Sequence, residues 1–304
     1  MAQMQEPKEI DKIPYDAPLS FQEPSRGWST KRGYANNRSK FIRDEDLPKV
    51  DLTGKWVVIS GSNNGIGREA ALDFARMGAN LILACRKPPP KENDPESVVA
   101  ECVTEAKKFK CDSIIEWWEY DAADLASAEA FAQRWLETGR ALDILCNNAG
   151  IGSSPGGSEI WLTELQHRLL QHSEYKHITV NGLHPGYVNT GVWNLNKTDS
   201  WATWARQWVV KTMAYFRAIT PQQGSLAIRY VATAPECGPD PKTQGVGDPE
   251  GKGGGRYFNR IWEEEAMPHC RDNDARLRVW RKVNEELKLD EKGLLDVLGL
   301  YSMD

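Results

Sequence analysis

From Lys55 onward, short apolar runs alternate with stretches whose apolar residues recur every three or four positions, the pattern of a parallel sheet covered by helices on both faces. "KWVVIS" reads as a first strand and "NLILACR" as a second. Between them the spacing predicts a helix from about Gly65 to Met77, with Ala70, Ala71, Phe74 and Ala75 on one face and Gly78 suited to the left-handed position that ends it. Asp94-Pro95 opens another helix, whose Val99, Cys102, Val103 and Ala106 share a stripe. "SIIEWWEYD" follows as a third strand, then a helix over Ser127 to Thr138 bearing Phe131 and Trp135, then a fourth strand, "LDILCN".

Beyond Gly150 the pattern is less regular. A helix around Glu159 to Gln171 is expected to bury Leu162, Leu165 and Leu169, and "HITVNGL" reads as a strand. Trp201, Trp204 and Trp208 form one helix face, which suits packing against a sheet edge better than a lid or a membrane contact. Thr220-Pro221 starts a further helix, "GDPEGKGGGRYFNR" is a glycine-rich loop feeding a last strand at Arg256 to Asn259, and a charged helix around Ala275 to Leu287 turns Leu277, Trp280 and Leu287 inward. Residues 1–50 instead carry prolines and charges without periodicity and read as a flexible or surface-wrapping arm. The expectation is one α/β domain over residues 51–304, built on a doubly wound, mostly parallel sheet.

Composition changes this picture mainly by exclusion. The 38 basic and 43 acidic residues give a net charge of -5 with no basic block, which argues against a nucleic-acid partner. The absence of a cleavable leader pattern, or of about 18 consecutive apolar residues, predicts a soluble, cytoplasmic chain with no transmembrane segment. Cysteines at 85, 102, 111, 146, 237 and 270 form no Cys-x-x-Cys pair and read as reduced, small apolar residues. No histidine and cysteine cluster has ligand spacing, so no metal is expected.

Candidate chemistry begins at "ISGSNNGIGRE", where Gly61, Gly65 and Gly67 lie between the first strand and its helix, with Ser62, Asn64 and Ile66 among them. Glycine there lets backbone N–H groups and the positive helix end face a pyrophosphate. The spacing Gly-x-x-x-Gly-x-Gly differs from the commonest dinucleotide fingerprint, and a ligand-free turn is the plain alternative. Arg86 ends the second strand about 20 residues beyond the glycines, where an NAD site places a carboxylate. A guanidinium suits a 2′-phosphate, so the charge favours NADP(H) over NAD(H), with a solvated surface arginine as the alternative.

Four motifs together resemble the short-chain dehydrogenase/reductase family, particularly its retinol-dehydrogenase-like members, over Lys55 to about Lys288. "SGSNNGIG" is similar to the family's Thr-Gly-x-x-x-Gly-Ile-Gly, with Ser60 at the threonine position. "YDAADLAS" implies that Asp121 contacts adenine, with Ala122 beside it; "CNNAG" matches the Asn-Asn-Ala-Gly signature in Asn147, Asn148, Ala149 and Gly150. "VNGLHPGYVNT" is similar to the segment beside the nicotinamide, with Pro185, Gly186, Val188 and Thr190 at the carboxamide-contacting positions. The resemblance implies an NADP(H)-dependent oxidoreductase acting on an alcohol/carbonyl couple, an oligomer being possible.

The same resemblance exposes a gap. Family members carry, between the last two motifs, a helix with a catalytic asparagine, a strand ending at serine, and a helix bearing Tyr-x-x-x-Lys. Only 34 residues separate Gly150 from Pro185, and "WLTELQHRLLQ" is similar to the rear half of the tyrosine helix. The join falls at "GIGSSPGGSEI", so the chain reads as shortened between 150 and 160, missing one strand and its helix, with no catalytic residue assigned. Substitutes are poor: Tyr34 precedes the first strand, Tyr175 and Lys176 are adjacent and face a turn, and Ser153 and Ser154 have no visible base. Tyr187 and His184 are better placed, yet read more simply as packed residues. The expected function is therefore an impaired oxidoreductase; a non-catalytic dinucleotide-binding or interaction protein is the alternative from another class, and a shortened gene product the third. Loss of the fifth strand should force the sixth to pair with the fourth or leave a gap.

Overall fold

The computed structural model describes residues 41–88, 92–150, 157–190, 218–245, 247, 249–264 and 268–293. They fall into two compact units, one drawn from residues 31–153 and 185–232, the other from 154–184 and 233–304.

The first unit is built on four parallel strands in the order β3-β2-β1-β4: β1 (Trp56–Ser60), β2 (Asn80–Cys85), β3 (Ile115–Glu119) and β4 (Ile144–Cys146). Central strands of such a sheet are covered on both faces and so read as unbroken apolar runs. Val57, Ile59, Leu81, Ile82 and Leu83 are accordingly all fully buried. On one face lies α1 (Gly65–Arg76), which buries Ala70, Ala71, Phe74 and Ala75. Gly78 follows at φ +83°, where a Cβ would stand 2.8 Å from Thr53 Oγ1, so the turn admits only glycine. The helix α2 (Pro95–Lys108) starts at Asp94, whose carboxylate accepts from Ser97 N, and buries Val98, Cys102 and Ala106. Of the expected stripe, Cys102 and Ala106 are buried and Val99 and Val103 half-buried, with Pro95 and Val98 completing the inner face.

The other face carries α3 (Leu125–Glu137) and an aromatic cluster. Trp118 and Trp135 are buried with Val58, Ile82 and Ala84, while Trp56, Tyr120 and Phe131 pack around them. Arg134 and Arg140 lie over Trp118 and Trp56 at 4.0 and 4.1 Å from the ring centroids. The strand β4 pairs with β1, and among the described residues has no partner on its other side, so the sheet stops where the missing strand was expected. Leu145 in this strand is 54% exposed. Of the expected N-terminal arm, residues 1–40 lie outside the described residues, but its end is packed: Ile42 and Leu47 are buried. The Ile42 peptide donates to Gln223 Oε1 at 2.8 Å and accepts from Gln223 Nε2 at 3.1 Å, docking onto α5 (Pro221–Thr233).

The second unit holds α4 (Gly157–Leu170), a three-stranded sheet in the order β5-β6-β7 and α6 (Asn273–Leu287). The strand β5 (Gly182–His184) pairs in parallel with β6 (Tyr257–Asn259), and β6 in antiparallel with β7 (Trp262–Glu264), which the apolar pattern did not signal. Two expectations fail here. "HITVNGL" is a strand only from Gly182, because Ile178 and Val180 direct their peptide groups to the side chains of Gln166 and Gln244. The interior face of α4 is polar: Glu164, Gln166, His167 and Arg168 are buried with Leu169, while Leu162 and Leu165 are half-buried. Inside α6, Trp280 is buried as expected, but Leu277 and Leu287 are half-buried and Arg276 is buried. The expected tryptophan face at 201–208 lies outside the described residues.

Candidate functional site

The glycine turn joins β1 to α1 at the strands' C-terminal edge. Gly61 and Gly65 have φ of +65° and +56°, conformations that disfavour any side chain. A Cβ on Gly61 would meet Ala149 Cα at 3.0 Å; one on Gly67 would meet Gly61 O at 2.3 Å and Asn148 Nδ2 at 2.4 Å. The turn is therefore lined by backbone, held close against the segment after β4. Asn64 stands at the N-cap of α1 but makes no side-chain bond to the helix; its Oδ1 accepts from Asn93 Nδ2 at 2.9 Å. The bond from Arg68 N to Asn64 O opens the helix, leaving the N–H groups of Gly65, Ile66 and Gly67 ahead of it, without an intrahelical acceptor. A turn with no side chain in the way and N–H groups pointing outward is the cradle a pyrophosphate requires. Beneath it the Cys85 thiol is pushed up to about 11 by burial, which the Ser62 hydroxyl offsets only in part, so it stays protonated.

The Asn-Asn-Ala-Gly residues serve as the turn's brace. Asn148 Nδ2 donates to Ser60 O at 3.0 Å and Gly61 O at 3.3 Å. Ala149 N donates to Ser60 Oγ at 3.0 Å, and that hydroxyl donates in turn to Cys146 O at 3.4 Å. A hydroxyl is needed at Ser60 to complete this chain. Asn147 and Gly150 are exposed beside it. On the opposite side, Thr190 packs against the glycine turn, its Cγ2 3.4 Å from a Cβ position on Gly65. Val188 pairs with Ile219 in an isolated parallel bridge and, with Ile66, closes over Gly224, where no Cβ would fit. Gly186 follows Pro185 at φ +91°. The structure thus brings Gly61–Gly67, Asn147–Gly150 and Pro185–Thr190 to one edge of one unit.

Asp121 and Arg86 lie further along that edge. Asp121 is half-buried just past β3; its N–H donates to Ser127 Oγ and its Oδ1 accepts from Ala123 N, both at 2.9 Å. Arg86 follows β2 with its side chain 57% exposed, and lies 3.5 Å from Glu92 Oε1. Sequence reasoning missed Glu92 and Asn93, which sit in a proline-rich turn with no periodic signal; the only local sign was the Asp94 cap beside them.

The possible substitutes for a proton donor fare as follows. Tyr187 is half-buried, its carbonyl accepting from Ile219 N. His184 belongs to β5 of the second unit, its carbonyl accepting from Arg260 N; burial lowers its pKa, opposed by the charge of Glu159. Tyr175 stacks on His172 at 4.3 Å, and Lys176 lies against Gly245, so the two diverge. Tyr34, Ser153 and Ser154 lie outside the described residues. All six cysteines are free thiols, and burial pushes Cys102, Cys146 and Cys237 up to about 12. Among the described residues no group of three His, Cys, Asp or Glu side chains could hold a metal, and no helix is long and apolar enough to cross a membrane.

The model of the short chain dehydrogenase family matches residues 55–167. Human retinol dehydrogenase 14 is 26% identical over 328 aligned positions, covering 83% of this chain and 92% of that protein; that alignment is longer than this chain, so stretches of the relative face gaps in it. Human retinol dehydrogenase 13 is 34% identical over 119 residues, 38% of this chain and 31% of that protein. A short chain dehydrogenase from Burkholderia cenocepacia J2315, solved in complex with NADP, is 20% identical with a TM-score of 0.46, covering 68% of this chain and 96% of that one.

Proposed function

Since the chain belongs to the short-chain dehydrogenase/reductase family and is retinol-dehydrogenase-like, we propose that it holds NADP(H) at the edge of its four-stranded sheet and carries out alcohol/carbonyl chemistry only weakly. One observation carries the reading: the backbone-lined turn of Gly61, Gly65 and Gly67 ahead of the first helical bond of α1, with Thr190 and Ala149 packed against it. N–H groups of the turn bind the pyrophosphate, with Ser62, Asn64 and Ile66 shaping its walls. Asp121 and Ala122 face the adenine, and Arg86 pairs with the 2′-phosphate through a charge-assisted bond of about 1.5–3 kcal/mol. Asn147 to Gly150 brace the floor, and Pro185, Gly186, Val188 and Thr190 hold the carboxamide end.

The cofactor supplies hydride; the protein must supply the proton that accompanies it. The sequence contains no Tyr-x-x-x-Lys, and the reading that the segment carrying it is missing rests on the 34 residues between Gly150 and Pro185. Loss of a positioned acid slows such chemistry ~10²–10⁴-fold, and loss of an oxyanion donor adds to that. The experiment is titration of tryptophan fluorescence with NADPH, followed by NADPH oxidation with a panel of aldehydes and ketones. Quenching with turnover at least ~10²-fold below ordinary enzymes is the expected result. Ordinary turnover overturns the impairment; no quenching by NADPH or NADH overturns the nucleotide site itself.

A further inference from the structure

The loop between β2 and α2 brings a carboxylate to the two elements between which the adenosine ribose would lie. Glu92 Oε1 is 3.5 Å from Arg86 Nη2 at the end of β2, and Glu92 Oε2 accepts from Asn63 Nδ2 of the glycine turn at 3.4 Å. The loop is fastened there reciprocally: Asn63 Nδ2 also donates to Asn93 O at 3.4 Å, while Asn93 Nδ2 donates to Asn63 O at 3.1 Å and to Asn64 Oδ1 at 2.9 Å. Four bonds between three asparagines and a glutamate thus hold one negative charge between the arginine and the turn.

We propose that Glu92 is a specificity-determining residue of the nucleotide site, a built-in stand-in for the 2′-phosphate that occupies Arg86 until a phosphorylated nucleotide displaces it. The inference rests on the nucleotide-binding reading above and refines its selectivity. A separation of 3.5 Å between half-exposed groups makes a loose ion pair, which a phosphate accepting paired bonds from the guanidinium outcompetes. The displaced carboxylate then stands near a like charge and weakens it. Nucleotides lacking the 2′-phosphate leave the Arg86–Glu92 pair intact and feel neither effect. Glu92 therefore narrows the preference for NADP(H) over NAD(H) that Arg86 creates.

The test uses the full chain and Glu92→Gln, which keeps the side chain's shape and an amide oxygen for Asn63 while removing the charge. Binding of adenosine 2′,5′-bisphosphate, 5′-AMP, NADPH and NADH is followed by tryptophan fluorescence; Trp117, whose Nε1 donates to Cys85 O at 3.0 Å, reports from beside Arg86. The variant should bind the bisphosphate and NADPH about three- to tenfold more tightly, with 5′-AMP and NADH unchanged. In an Arg86→Gln background the gain should shrink to less than about twofold. Equal changes for phosphorylated and unphosphorylated nucleotides, no change, or weaker NADPH binding by Glu92→Gln each overturn the role of Glu92 while leaving the nucleotide site standing. Failure of wild-type protein to bind any of the four removes the site and this inference with it.

Discussion

The two units solve burial in opposite ways. Around β1 and β2 the interior is aliphatic and aromatic, and what charge lies close, such as Arg134 and Arg140, covers rings from outside. In the second unit Glu164 is fully buried and reaches both Arg168 at 2.9 Å and Arg276 at 3.3 Å; Arg256, also fully buried, pairs with both oxygens of Glu263. An apolar core tolerates small errors of fit and is non-directional, whereas a buried ion network is stable only when every member finds its partner. The residues proposed to hold the nucleotide all belong to the unit with the first kind of scaffold.

The sharpest way to break this contrast is at Arg256. Arg256→Met leaves Glu263 buried without its guanidinium and should destabilise the second unit by about 3–5 kcal/mol. Arg256→Met with Glu263→Met should regain most of that, since both charges leave together. Hydrogen exchange resolved by residue is the measurement: loss of protection should fall on β5, β6 and β7, with β1 and β2 unchanged. Equal loss in both units would mean that they share one cooperative core.

Gly67→Ala tests the other scaffold. Its Cβ would lie 2.3 Å from Gly61 O, against backbone that cannot swing aside. The substitution should reduce stability by about 1–3 kcal/mol through overpacking. It should also weaken NADPH binding by at least roughly tenfold, because the helix end must back away from the turn. Thermal unfolding and fluorescence titration read the two effects; full-strength binding would show that the turn's closeness does not matter to the ligand.

The contrast also governs what could be read in the sequence. Strands β1 and β2 were legible because burial on both faces leaves unbroken apolar runs, and α1 because Ala70, Ala71, Phe74 and Ala75 repeat at helical spacing. Helix α4 was located but its rotation was misread. Periodicity assumes that leucines face inward, and here Glu164, Gln166, His167 and Arg168 do; Glu164 meets Arg276, Gln166 meets Val180 and Arg168 lies over Trp280, partners that no local pattern reveals. The same distinction runs through the site. The glycines, Ser60 and Asn148 sit in compact motifs, whereas the Glu92–Asn93 clamp depends on how a proline-rich turn folds back across about 30 residues.

Acid should separate the units by sign. Burial lowers the pKa of His184, so the folded second unit favours the neutral ring; its contribution is complete above the unfolded value of 6.5 and is lost as pH falls through the lower folded value. Asp73 in α1 is raised by burial, more than Ser225 and Arg76 lower it, so its contribution is present below the unfolded value of 3.8 and lost as pH rises through the folded one. Exchange measured from pH 7 down to pH 5 should show the second unit loosening first, and His184→Gln should blunt that trend. A trend unchanged by the substitution would assign the acid sensitivity elsewhere in the network.

The smallest effect is expected at β4, and its smallness is the point. Leu145 lies in a three-residue strand hydrogen-bonded to β1, and at 54% exposure its side chain has little apolar contact to lose. In a sheet that continued past β4 beneath a further helix, the same position would be interior, and a charge there would cost several kcal/mol. Leu145→Lys should therefore shift stability by no more than about 0.5 kcal/mol. It should also suppress self-association, because a lysine beside a strand edge that has no partner among the described residues opposes edge-to-edge pairing. Light scattering and denaturant unfolding measure both. A loss above about 2 kcal/mol would show that something covers this strand in solution and that the sheet does not end at β4.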